Sequence, residues 1–307
     1  MKLCAILLAG CLAAPAATYY LTLSGLGGEP DYEQRFQMWA HEIDSNLKKA
    51  GGGNVITMVG PTREQIRARF RDLAAATRPD DALVVMLIGH GSDDGVDYKF
   101  NIPGPDITAA ELASLLDRVP AARQCVVNMT SASGASIGFL RRPNRIVITA
   151  TKSGTEKIAT VFARFWSAAL GDPAADTDKN DSVSALEAFR YAQRKVTESF
   201  DSAKRLATEH SLLEDTGRDD GERSPSAENG EGRLAAGFNL VRLGGNADAT
   251  RDPVKRALLD KKEEIEQAID QLKYEKASMD TAEYRKQLAQ LLLQLAKTQE
   301  ALDAPPK

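Results

Sequence analysis

The chain has 307 residues, 43% of them hydrophobic, enough for one large buried core plus an appendage, so a folded globular protein is expected. A formal net charge of −4 and a pI near 5.6, with no short basic and aromatic cluster, exclude a nucleic-acid surface. Of the three cysteines, Cys4 and Cys11 lie at the start, which leaves Cys125 alone in the folded part and excludes an intrachain disulfide there.

Residues 1–17, within MKLCAILLAGCLAAPAATYY, join one lysine to a short apolar run and then small residues, the pattern of an export signal too short to span a bilayer. The expected location is the periplasm or cell envelope. Leu8-Ala9-Gly10-Cys11 resembles a bacterial lipobox, with Cys11 as the lipidated residue, and Ala14-Pro15-Ala16 offers an ordinary cleavage site. Both routes stay open, and a lipid on Cys11 is the one membrane attachment expected.

TYYLTLSG then reads as a strand, and DYEQRFQMWAHEIDSNLKKAGGG as a helix with a glycine stop. NVITMVG is a second strand, PTREQIRARFRDLAAATRPDD a helix with Pro61 near its first turn, and ALVVMLIGHG a strand apolar on both faces. DITAAELASLLDRV predicts a helix, QCVVNMTSASG and RIVITATKSG two strands, and ATVFARFWSAAL another helix. Such alternation requires crossovers, hence an α/β fold with a largely parallel sheet covered on both faces.

The stretch 212–232 is rich in charge, glycine and serine and is expected to be a mobile surface loop. AAGFNLVRLG reads as one more strand, closing an α/β domain over 18–245. In 246–307, Leu258, Ile265 and Leu272 are spaced by seven, and Tyr284, Leu288, Leu291, Leu295 and Leu302 continue a heptad-like stripe. Asp280 with Glu283 resembles a capping box between the two halves, so the tail is expected to be an antiparallel helical hairpin.

Ligands of open parallel sheets bind outside the carboxyl ends of the strands. Two strands here end in His90-Gly91-Ser92 and Ser131-Ala132-Ser133-Gly134. VVMLIGHGSDDG followed by VVNMTSASG resembles the legumain branch of the caspase-like cysteine peptidases, with RIVITATKSG similar to the strand that borders the family's substrate pocket. The similarity covers roughly 18–170 and, more loosely, extends to about 245. It implies a caspase-like sheet, a general base at His90 and a nucleophile position at Ser131, with Thr130 beside it. The family's cysteine is absent. An alcohol lacks the thiol's low pKa, so a serine in that position is expected to be close to inert. Cys125 lies six residues upstream, roughly 20 Å along a strand at ~3.3 Å per residue, and reads as a core thiol. Asp93 and Asp94 lie near His90 in sequence, but no third group of a triad is evident.

Three functions follow from these readings. The first is a peptidase homologue without its thiol, binding a peptide or protein in the inherited cleft. The second is an active endopeptidase using Ser131 or Thr130 with His90. The third makes the hairpin an interaction element on an inert α/β platform.

A separate motif, DTDKNDSVSALE, puts Asp176, Asp178, Asn180, Ser182, Ser184 and Glu187 at positions 1, 3, 5, 7, 9 and 12 of an EF-hand loop. That spacing can wrap oxygens around calcium, although Asp181 replaces the usual glycine and Pro173 interrupts any incoming helix. The alternative is a polar loop capping the next helix. Gly25-Leu26-Gly27-Gly28 lacks the third glycine of a dinucleotide fingerprint and reads as a turn.

Overall fold

The computed structural model describes residues 16–304 except 219, 227, 228 and 251. Residues 1–15 of the leader, Cys11 among them, lie outside the described residues. In chain order the first elements are β1 (Thr18–Ser24), α1 (Pro30–Lys49), β2 (Asn54–Val59), α2 (Arg63–Ala76) and β3 (Ala82–Ile88). There follow β4 (Gly91–Asp93), β5 (Tyr98–Phe100), β6 (Ile107–Thr108), α3 (Ala109–Leu116), β7 (Arg123–Asn128), α4 (Ile137–Leu140), β8 (Arg145–Thr149) and α5 (Phe162–Ala169). The last are β9 (Ser182–Ser184), α6 (Ala185–Ser202), β10 (Leu212–Glu214), α7 (Arg233–Ala236), β11 (Asn239–Arg242), α8 (Gly244–Ala249), α9 (Pro253–Glu275) and α10 (Thr281–Asp303).

Six strands form the central sheet in the order β10-β8-β7-β3-β1-β2, parallel throughout except for β10. The expected fold class is therefore present: a mostly parallel sheet with helices on both faces, followed by two C-terminal helices. Strand periodicity divides the core. Val84, Met86 and Ile88 of β3 join Phe36, Trp39 and Ile43 of α1 and Trp166 of α5 on one face. Leu83, Val85 and Leu87 join Ile66 and Phe70 of α2 and Leu112 of α3 on the other. Each such buried side chain contributes roughly 1.5–3 kcal/mol, and Cys125 is one of them, fully buried, with its thiol pKa raised by burial.

β11, the expected last strand of the α/β domain, pairs antiparallel with β9 outside the central sheet. One of the two edge strands is β10, inside the stretch expected to be mobile. Three of its carboxylates are acceptors for backbone donors and are held inside. The Glu214 carboxylate takes the N–H groups of Thr216, Gly217 and Arg218, while Asp215 takes those of Gly232 and Ala235 at the start of α7. Glu231 takes the Asp215 N–H at 2.8 Å. Composition suggested a solvated loop, but these carboxylates pin it.

Asp280 caps α10 through the N–H groups of Ala282 and Glu283, and α10 packs against α9. Ile265 and Leu272 of the expected seam are buried, Leu258 is half-buried, and Leu259 and Ile269 are also buried. Arg242 of β11 anchors α9 through Asp260 at 2.5 Å and Glu263 at 2.6 Å. Among the described residues no helix is long and apolar enough to cross a membrane.

Candidate functional site

β3 and β7 are neighbours, so His90 and Ser131 emerge at the carboxyl ends of adjacent parallel strands. The approach of the two loops depends on Gly91. A Cβ there would stand 2.5 Å from the Ser131 carbonyl oxygen and 2.6 Å from both Thr130 Oγ1 and the Tyr98 ring. Only a residue without a side chain fits. A second close approach, at Gly134, lets the turn after Ser131 press on the backbone of Lys152 and Ser153.

The Ser131 hydroxyl is 3.1 Å from the Gly91 N–H, from which it accepts, and donates to the Gly91 carbonyl at 3.0 Å. Ser131 is 2% exposed. His90 Nε2 lies 3.1 Å from the Gly27 carbonyl oxygen, and its ring stands edge-on between Tyr32 and Phe36 of α1. Among the described residues, no hydrogen bond joins the imidazole to Ser131. Thr130 is fully buried, with its hydroxyl 2.5 Å from the Tyr98 hydroxyl, 2.8 Å from Asn128 Oδ1 and 3.0 Å from the Ser131 carbonyl oxygen. Burial raises Tyr98 to about 12, so its hydroxyl stays protonated within that network.

Neither nearby acid orients the imidazole. Asp93 accepts the Gly95 N–H, while Asp94 accepts from Val96 and Asp97 and pairs with Lys99 at 2.7 Å. The glycine turn dismissed as a dinucleotide motif instead supplies the partner of His90. The sequence signal for it was the run Gly25-Leu26-Gly27-Gly28 directly after β1.

A second polar cluster had no sequence signal. The Ala132 N–H donates to the Glu156 carbonyl at 2.8 Å, and the Glu156 carboxylate pairs with His210 Nδ1 and accepts the Lys152 N–H. Adjacent Glu209 is buried and accepts from Val161 and Phe162 at the start of α5. Burial outweighs those donors and raises Glu209 to about 7.

In the acidic loop, Asp176, Asp178 and Glu187 each offer one carboxylate oxygen, all within 4.8 Å of one another. Ser182 and Ser184 are buried in β9, and Asn180 Oδ1 accepts the Ser182 N–H. Asp181, in the position usually held by glycine, has the left-handed φ of 64° that an EF-hand loop requires there. Ser184 also caps α6 in a reciprocal box with Glu187, whose other oxygen takes the Thr177 N–H and hydroxyl. Partial burial of the carboxyl and then the charge of Glu187 raise Asp178 to about 6. Lys262 of α9 donates to the Asn180 carbonyl at 3.3 Å, tying the tail to this loop.

No protein-family model matches the chain, and no curated protein matches it. Among solved structures, the chain is similar to the Drosophila initiator caspase Dronc at 9% identity and a TM-score of 0.48, over 66% of this chain and 80% of that one.

Proposed function

We propose that the chain is an exported, legumain-like peptidase homologue that has lost its nucleophile and binds a peptide or protein at the carboxyl ends of β3 and β7. The observation that carries this reading is the placement of the two key groups: the Ser131 hydroxyl is bonded to Gly91, and His90 Nε2 to the Gly27 carbonyl. An alcohol needs a base on its proton, and that contact is not made: the Gly27 carbonyl holds the imidazole nitrogen, and among the described residues no carboxylate orients the ring. Export by the leader, with Cys11 lipidated or the leader cleaved after Ala16, belongs to the same reading.

Peptide libraries, including those with asparagine or aspartate before the scissile bond, test it. Turnover should equal that of Ser131→Ala and of a protein-free blank. Turnover lost in both Ser131→Ala and His90→Ala would establish the endopeptidase instead. Binding belongs to the proposal as well, so peptides retained by wild type should be released by substitutions that fill the cleft, such as Ser92→Trp at the exposed position beside Gly91.

A second reading rests on the carboxylate cluster: the loop from Asp176 to Glu187 holds calcium as a structural ion. Hard oxygen donors at EF-hand spacing suit that ion, with Asp176, Asp178 and Glu187 as charged ligands and Asn180, Ser182 and Ser184 on the same loop. A ligand of the native state raises stability by RT ln(1 + [L]/Kd), about 2.7 kcal/mol at a hundredfold excess over Kd. Millimolar calcium should therefore raise the Tm of wild type and leave Asp178→Asn unmoved. Equal melting of wild type with calcium and with chelator would reduce the loop to a helix cap.

A further inference from the structure

Helix α10 uses one face against α9 and leaves another bare. On the inner side Leu288, Leu291, Leu295 and Leu302 are half-buried and Thr298 is buried. Helical periodicity places Arg285, Ala289, Leu292, Leu293, Ala296 and Glu300 on a separate stripe, and all six are exposed. Leu292 is 49% and Leu293 57% exposed, and no residue between Lys286 and Lys297 is charged. Among the described residues neither Arg285 nor Glu300 takes part in an ion pair, although many charges of the surrounding helices do.

The order of these residues selects the occupant. We infer that the stripe is a self-association surface on which a second copy of the chain docks antiparallel, α10 against α10, about a two-fold axis between Leu292 and Leu293. That axis sets Leu292 on Leu293 of the second copy, Ala289 on its Ala296 and Arg285 opposite its Glu300. Each contact occurs twice, as a two-fold interface requires. Parallel docking would put Arg285 beside Arg285 and Glu300 beside Glu300, and an unrelated partner would have no need of this internal symmetry. The alanines flanking the leucines let the helices approach closely, at the short end of the ~8–10 Å range of interaxial distances. The contact runs roughly 22 Å from Arg285 to Glu300 at ~1.5 Å per residue. Two hairpins joined this way make a four-helix arrangement with the α/β domains carried outside it.

Sedimentation velocity on the purified full chain tests the inference. Wild type should form a concentration-dependent species of twice the 33.2 kDa chain mass. Leu292→Asp should sediment as a monomer with an unchanged helical circular dichroism spectrum. Arg285→Glu and Glu300→Arg should each weaken the dimer by about tenfold, because every reversal acts at two symmetric places, and the double substitution R285E/E300R should restore it. Association through any other part of the chain would be indifferent to the charge exchange. A monomer at every concentration, a dimer untouched by these substitutions, or a double variant as weak as the single ones would overturn the inference.

Discussion

Gly91 shows how one residue fixes the state of another far away in sequence. Its missing side chain admits the Ser131 carbonyl and the Thr130 hydroxyl, and its own backbone then satisfies both hydrogen-bonding roles of the Ser131 hydroxyl. Glu209 offers a titratable counterpart on the neighbouring loop. Its ordinary pKa of 4.5 rises to about 7 in the fold, so between those values the native state holds a proton that the unfolded chain has released. The stability from the protonated carboxyl is fully present below the unfolded value and is lost as pH rises through the folded one. Wild type should therefore lose on the order of 2–3 kcal/mol between pH 4.5 and 8 that Glu209→Gln does not lose. Denaturant titrations at both pH values check this, and parallel pH profiles for the two proteins would refute it.

At the scale of elements, what the sequence revealed and what it hid have different physical origins. The strands β1, β3, β7 and β8 were legible because burial on both faces demands apolar runs, and the residues that follow them marked His90 and Ser131. The partners of those side chains were not legible, since Gly91 bonds to a residue forty positions away and Gly27 to one sixty-three away. The edge strand β10 was hidden for a related reason: Glu214, Asp215 and Glu231 look solvated by composition, and only tertiary placement turns them into caps for backbone N–H groups. The tail was read correctly as two helices from its leucine spacing, but its anchor at Arg242 lay outside that pattern. Arg242→Ala removes two charge-assisted hydrogen bonds and leaves Asp260 and Glu263 unpaired there, a loss of about 2 kcal/mol. Amide exchange in α9 should accelerate while β3 stays protected. Unchanged exchange in α9 would mean that apolar packing alone seats the hairpin.

The whole molecule joins a sheet whose adjacent strand ends lead into His90 and Ser131 to a helical tail tied to the acidic loop and to β11. In the proposed function the α/β domain presents a binding cleft, and in the inferred dimer the tail brings copies together, so occupancy of two clefts at once would strengthen attachment to a multivalent partner. The acidic loop lies between the two parts, held by Lys262 from one side and continuous with β9 and α6 on the other. The proposed function depends on Ser131 being a structural hydroxyl. Its nucleophilicity can be read directly by treating the protein with a fluorophosphonate, which phosphonylates activated serine and threonine hydroxyls, and mapping adducts by mass spectrometry. The account predicts no adduct on Ser131 or Thr130 above the level of the denatured chain; a stoichiometric adduct on Ser131 that disappears in His90→Ala would contradict it.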